Sequence, residues 1–293
     1  MDWDKLRVFH AVAEAGSFTH AGDVLNLSQS AVSRQISALE DVLQVPLFHR
    51  HARGLILTEQ GETLHKTVRE VFSKLEMTQT LLTESKEKAA GRLRVTTTTG
   101  FGNCWLMPRL HKFMAANPDI DICLILEDSD LDLGMREADV AVRMHAPRQP
   151  DLIQRHLADF HLPIFAAPLY IEKYGMPRSI EEISAHQLVL FGEHHPPVAH
   201  INWLAESTRQ GTTRQNARLE VNSMAAMASA IAAGLGIGSI PTYAAAQFPD
   251  LIQILPDLTT PTVDAYFVYP EELRSSKRVA VFRDFLMSEL GIR

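Results

Sequence analysis

Apolar positions recur at helical spacing from Asp4 onward, and two breaks divide the first forty residues into three short helices. The first spans about Asp4 to Ala15 and is stopped by Gly16. The second ends at Leu25-Asn26-Leu27-Ser28, where Asn26 tolerates a left-handed backbone and Ser28 can cap the helix that follows. In that third helix Val32, Ile36, Leu39 and Leu43 fall at i, i+4, i+7 and i+11, one core-facing stripe. Gln29, Ser30, Ser33 and Arg34 cluster off the stripe at its N-terminal end. Two helices around a tight break, the second with polar first turns, are a helix-turn-helix. Gln can pair bidentately with adenine, and Ser or Arg can take phosphate or guanine.

After Pro46, the stretch Leu47 to Thr58 reads as a two-stranded wing, with Leu55 and Leu57 turned inward and His49, Arg50 and Arg53 near its tip. Arg50, Arg53, Ser30 and Thr58 are the expected phosphate contacts. Thr58 can also cap a long helix running to about Lys88, whose Leu64, Val68, Val71, Leu75, Thr78 and Leu82 alternate in steps of four and three. A single helix cannot bury that seam alone. It packs either on the chain's own first domain or on a second copy.

Ala89-Ala90-Gly91 marks a boundary. Beyond it strands and helices alternate: Leu93 to Thr98, helix Leu106 to Ala116, then strands Ile120 to Leu126 and Val140 to Met144. A second set begins near Pro163, with strands at Leu188 to Phe191, Leu219 to Asn222 and Ile237 to Ile240. Asp264 to Tyr269 and the amphipathic helix Val279 to Leu290 then return to the first set. The pattern predicts two α/β lobes with mainly parallel sheets, joined by two crossovers around a cleft.

Charge sharpens the reading. The 293 residues are 46% hydrophobic, enough for two or three cores, but the net charge is −7 with pI near 6.0. A generic polyanion binder is basic overall, so DNA contact must rest on local charge. Residues 28 to 39 carry Arg34 and no acid, and His49 to Arg53 is compactly basic. The acidic start lacks a basic-then-apolar leader, which points to the cytoplasm. The uncharged run Ser223 to Pro241 is rich in Ala, Gly and Ser and fits a buried helix and strand, not a membrane span.

For small ligands the loop Thr98-Thr99-Gly100-Phe101-Gly102-Asn103 follows a strand and precedes a helix, where free N–H groups can hold a carboxylate. Its threonines could instead merely cap that helix. Asn222 and Ser223 stand between a strand and an Ala-rich helix, and Ser239 ends the next strand. Ser129 and Arg143 complete the set, though Arg143 could equally pair with Asp139. Gly234 to Gly238 has dinucleotide-like glycines but follows a helix, so it fails as that motif. No catalytic constellation is visible, which argues against an enzyme. Neither His49-x-His51 nor His194-His195 has zinc-site companions, so no metal or cofactor is expected. Cys104, near a helix N-terminus, could be a lowered-pKa redox sensor or a small buried hydrophobe. Cys123 reads as the latter.

Phe9, Ala11-Val12, Gly16-Ser17-Phe18, Ala21, Leu25, Ser28-Gln29-Ser30-Ala31-Val32-Ser33, Ile36, Leu39-Glu40, Leu47-Phe48, Arg50, Leu57-Thr58 and Gly61 together resemble the LysR-type transcriptional regulators. The opening Met1 to His10 also resembles the alphaproteobacterial LsrB-type branch. Two positions depart from the family pattern: Gly22 replaces a second Ala, and Gln44 replaces a helix-ending Gly. A left-handed Gln costs about 1 kcal/mol relative to Gly. The resemblance implies a winged helix-turn-helix over 1–58, a dimerising linker helix over 59–90, and a two-lobed periplasmic-binding-protein-like α/β effector domain over 91–293. Lobe 1 takes about 91–162 and 264–293, and lobe 2 about 163–263. It further implies that Asn222, Ser223 and Ser239 line the cleft, that the linker pairs with another subunit, and that a homodimer or homotetramer binds double-stranded promoter DNA under a small effector's control, with RNA polymerase as a partner. Two other readings stay open: a regulator with an occluded, effector-independent cleft, and a metabolite-binding or enzymatic α/β protein.

Overall fold

The computed structural model describes residues 2–51, 54–83, 89–147, 149, 151–192, 198, 200–207 and 217–292, with the backbone alone at 50, 51, 54, 73, 76, 77 and 79–83. The chain forms two compact units, Met1–Thr83 and Glu84–Arg293.

In the first unit, α1 (Trp3–Ala15) ends at Gly16 in a left-handed conformation, φ 61°. Next come α2 (Phe18–Leu25) and α3 (Gln29–Leu43), separated by Asn26 at φ 54°, ψ 42°, with the Ser28 hydroxyl accepting the Ala31 N–H at 3.2 Å. The break is tight enough to explain Gly22, because a Cβ there would lie 2.6 Å from the Leu27 carbonyl oxygen. Val32, Ile36 and Leu39 are fully buried with Val8, Phe9, Val12 and Ala21. Each of these side chains except Ala21 contributes about 1.5–3 kcal/mol of transfer free energy. Gln44 takes the left-handed cap, φ 57°.

Strands β1 (Phe48–His51) and β2 (Gly54–Leu57) pair antiparallel as a wing, Phe48 opposite Leu57 and His51 opposite Gly54. Glu40 ties the wing to α3: its carboxylate accepts the Leu47 N–H at 2.7 Å and the Phe48 N–H at 3.3 Å. Helix α4 (Glu59–Thr83) opens against the wing so closely that a Cβ on Gly61 would sit 2.1 Å from the Leu47 carbonyl oxygen. Its apolar seam divides. Of the expected seam, Leu64 and Val68 pack on the unit's own core beside Phe72, which lies off it, whereas Val71 and Leu75 are 41% and 50% exposed. The Leu82 side chain lies outside the described residues.

The second unit begins with β3 (Gly91–Thr97), α5 (Thr99–Phe101), a π-helical stretch Gly102–Leu106, α6 (Met107–Ala116), β4 (Ile120–Leu126), β5 (Val140–Arg143) and β6 (Leu152–His161). There follow β7 (Ile164–Ala166), α7 (Pro168–Tyr174), β8 (Leu188–Phe191), α8 (Trp203–Ser207), β9 (Ala217–Val221), α9 (Met224–Ala232), β10 (Gly238–Ser239), α10 (Thr242–Ala245) and β11 (Ile252–Ile254). The chain returns through β12 (Thr262–Pro270) and ends in α11 (Lys277–Glu289).

One lobe is built on the five-stranded sheet β4-β3-β5-β12-β6, the other on β10-β7-β11 and β8-β9, linked by a bridge between Leu188 and Ile237. The sheets are less parallel than the alternation of elements suggests. β3 runs parallel to β4 and β5, but β12 is antiparallel to β5 and β6, and β7 is antiparallel to both neighbours. The reason is that the long strands β6 and β12 are the crossovers themselves and run antiparallel to each other. β6, absent from the expected elements, is an edge strand whose Gln154-Arg155-His156 is exposed, so it lacks a clean alternation.

The two lobes meet through aromatic packing. Phe101 on α5 stacks on Trp105 at 4.8 Å and meets Tyr243 of α10 edge-on at 5.5 Å, and Phe160 of β6 packs on both Phe101 and Tyr243. Among the described residues, no helix is long and apolar enough to cross a membrane.

Candidate DNA-reading face and effector cavity

The stripe that buries α3 leaves its opposite side outward. Gln29, Ser30 and Arg34 are exposed in the first two turns, and Ser33 beside them is half-buried. Local bonds order this face: the Ser28 and Ser30 hydroxyls are 3.1 Å apart, and Arg34 Nε donates to the Ser30 carbonyl at 3.3 Å. Such a surface presents an amide, hydroxyls and a guanidinium to base edges and phosphates. His49 is exposed on β1. Arg53 lies outside the described residues, as does the side chain of Arg50.

Thr58 requires a correction. It is 5% exposed, its hydroxyl donates to the Pro46 carbonyl at 2.8 Å, and the same oxygen accepts the Gly61 N–H at 3.0 Å. A phosphate cannot reach a buried hydroxyl already used in both roles. Thr58 caps α4 and closes the wing.

In the second unit, a cavity of about 540 Å³ opens between the lobes, lined by Thr99, Asn103, Leu126, Glu127, Asp128, Ser129, Phe191, Asn222 and Ser223. These residues stand at or beyond the carboxyl ends of β3, β4, β8 and β9, where α/β folds collect ligands. The structure therefore brings Thr99, Ser129, Asn222 and Ser223 to one cavity, together with Asn103 of the same candidate loop, and adds Glu127, Asp128 and Phe191, which sequence reasoning missed. Asp128 dominates the chemistry. Its carboxylate accepts the Thr99 N–H at 2.8 Å and the Thr99 hydroxyl at 2.9 Å, so the chain's own anion occupies the amide expected to hold a ligand carboxylate. Across the cavity, Ser223 caps α9, its hydroxyl accepting the Ala226 N–H at 3.4 Å.

The remaining candidates are buried in structural roles. Thr98 is 9% exposed and caps α5 through the Phe101 N–H, as the simpler reading of the loop had it. Phe101 is fully buried in the aromatic contact between lobes. Ser239, 2% exposed, donates to the Leu162 carbonyl at 2.7 Å and accepts from the Trp203 indole at 2.6 Å. Arg143 is 4% exposed, with Nε 3.2 Å from Asp130 Oδ1 and Nη2 donating to the Leu131 carbonyl at 2.8 Å. Its partner is Asp130 and not Asp139, whose carboxylate accepts the Arg94 N–H at 2.8 Å. Burial lowers the Arg143 pKa, opposed by Asp130 and Asp132. Beside it His145 Nε2 lies 3.3 Å from Asp130 Oδ2, and that hydrogen bond raises the imidazole pKa. Thr98 and Arg143 border a hollow of about 20 Å³, room for about one water.

Residues 86–291 match the family described as the LysR substrate binding domain, and residues 3–62 match the bacterial regulatory helix-turn-helix protein, lysR family. The chain belongs to the LysR family of transcriptional regulators. It is a DNA-binding regulator with an N-terminal helix-turn-helix and an effector domain.

This LysR-family chain is 31% identical to the HTH-type transcriptional regulator YhjC of Escherichia coli (strain K12), over 96% of its own length and 95% of that protein. It is 29% identical to CrgA of Neisseria meningitidis serogroup C (strain 8013), over 98% and 97%. Among solved structures, the full-length virulence activator AphB of Vibrio cholerae aligns with TM-score 0.62 at 28% identity, covering 98% of this chain and 99% of that one. CbnR complexed with its target DNA aligns at TM-score 0.69 over 99% and 100%, and at 21% identity it shows the shared fold. The relatives support the family and not the narrower LsrB-type branch.

Of the two readings of Cys104, its surroundings favour the small buried hydrophobe. It lies within the π-helical stretch, 5% exposed, and burial pushes its thiol pKa up, opposite to the lowering that redox sensing needs.

Proposed function

We propose that the first turns of α3 read promoter DNA through Gln29, Ser33 and Arg34, that Ser30, Arg50 and Arg53 hold phosphates, and that a small polar effector, uncharged or cationic, binds between the lobes and adjusts that grip. The observation that carries the effector's charge is the Asp128 carboxylate on the Thr99 N–H and hydroxyl. Glu127 adds a second acid to the wall, and among the described lining residues there is no Lys, Arg or His. An anionic ligand there meets two like charges and finds its N–H donor taken. A cation or a neutral hydrogen-bonding molecule meets carboxylates, hydroxyls and the amide groups of Asn103 and Asn222.

On this reading a cytoplasmic oligomer, a homodimer or homotetramer joined through the Val71 and Leu75 half of the seam, acts on RNA polymerase at the promoter. Pairing two chains sets the spacing of two half-sites. Thermal melting of the full chain against matched amines, neutral amides and carboxylates tests the effector assignment. Amines or amides raise the melting temperature of the wild type, and Asp128→Asn admits carboxylates. Stabilisation of the wild type by carboxylates, unchanged in Asp128→Asn, would overturn it.

A further inference from the structure

The first unit holds a polar cluster that neither DNA reading nor the inter-lobe cavity uses. His10 and Glu14 lie one helical turn apart on α1, so both leave the same face. His65 comes from the second turn of α4, which packs on α1. One ligand atom from each residue, an imidazole nitrogen from both histidines and a carboxylate oxygen from Glu14, lie within 4.8 Å of one another. His65 Nε2 lies 3.1 Å from Glu14 Oε1. Two ligands on one tetrahedral zinc, with bonds of about 2.0–2.1 Å, stand only slightly farther apart.

His65 Nε2 is buried, yet its approach to Glu14 falls outside hydrogen-bond geometry. That separation and alignment leave room for the two atoms to stand as neighbours around a common cation. The rings are held in place as well. His10 stacks on Phe72 at 5.0 Å with 13° between planes, and on His65 at 5.7 Å, while Phe9 meets His65 edge-on at 6.3 Å. Glu14 is 55% exposed, which leaves an entry path from solvent.

We infer that His10, Glu14 and His65 form a site for a divalent transition-metal ion of the zinc type, held by two imidazoles and a carboxylate with a fourth position open to water. Coordination from two helices fastens the first turns of α4 to α1. Because α4 also carries the exposed Val71 and Leu75, the ion acts on the segment proposed to join subunits. This is an input distinct from the cavity effector.

The test uses the full-length, metal-stripped chain titrated with zinc chloride against a chromophoric chelator, beside Glu14→Gln and His65→Gln. Circular dichroism confirms that each variant is folded, and Glu14→Gln changes an exposed group, so it keeps the test valid if His65→Gln unfolds. The wild type is expected to bind one more equivalent of zinc per chain than either variant, or to bind that equivalent at least about tenfold more tightly. Cobalt(II) in place of zinc is expected to give the visible absorption of a four-coordinate ion in the wild type, lost in Glu14→Gln. Equal zinc stoichiometry and affinity in wild type and Glu14→Gln overturns the site. So does a wild type whose melting temperature responds to pH but not to zinc.

Discussion

The polar first turns of α3 and the polar wall of the inter-lobe cavity are two surfaces of opposite design. On α3 the core stripe Val32-Ile36-Leu39 does the packing, and Gln29, Ser30 and Arg34 are exposed, with local bonds joining Ser30 to Ser28 and Arg34 to the Ser30 carbonyl. In the cavity the dominant groups are already committed: Asp128 to Thr99, 29 residues apart, and Arg143 nearby to Asp130 and Leu131. The first surface offers its chemistry outward to a long polymer of fixed shape. The second has satisfied much of its own polarity, and on the proposed reading its internal partner Asp128, not the loop that faces it, sets the charge of the ligand.

The sharpest way to break this contrast is Phe101→Ala. If Phe101 lined the cavity, its loss would alter ligand response at little cost in stability. As the buried contact between lobes it is expected to cost about 3–5 kcal/mol, read as a lower urea midpoint for the second unit.

Thr58→Ala tests the other surface. Removing a cap whose hydroxyl also holds Pro46 is expected to destabilise the first unit by about 1–2 kcal/mol. The slope of log affinity against log salt stays unchanged, because no phosphate contact is lost. A smaller slope at unchanged stability would restore Thr58 to the interface.

What was legible in the sequence follows the range of the interactions. Asn26, Ser28, Gly16 and the α3 stripe act within a few residues, so periodicity and capping chemistry revealed them, and the structure places each as expected. Thr99, Ser129, Asn222 and Ser223 stood at or beyond strand ends, which topology brings to the two sides of one cavity. Asp128 was missed because nothing local marks it as Thr99's partner. Ser239 was misread for the same reason, since its hydroxyl is spent on Leu162, 77 residues away. Local histidine spacing likewise could not signal the His10, Glu14 and His65 cluster, which forms only when α4 folds onto α1.

The smallest expected effect is a pH dependence at the small hollow beside Arg143. The hydrogen bond to Asp130 raises the His145 pKa above its ordinary 6.5. The stabilisation is therefore fully present below that unfolded value and fades as pH rises through the higher folded one. His145 and Asp130 are each 43% exposed, and a screened pair of this kind contributes about 0.5 kcal/mol. Urea midpoints from pH 5 to 9 should fall slightly more in the wild type than in His145→Asn. Parallel profiles would remove the pair from the account.

The central claim is that the first turns of α3 carry the sequence information. Footprinting of genomic DNA by the wild type and Gln29→Ala tests it directly. The account predicts that Gln29→Ala loses about 1–3 kcal/mol of discrimination at one base position and binds a changed set of sites. Uniform weakening at all sites with the preference intact would contradict it.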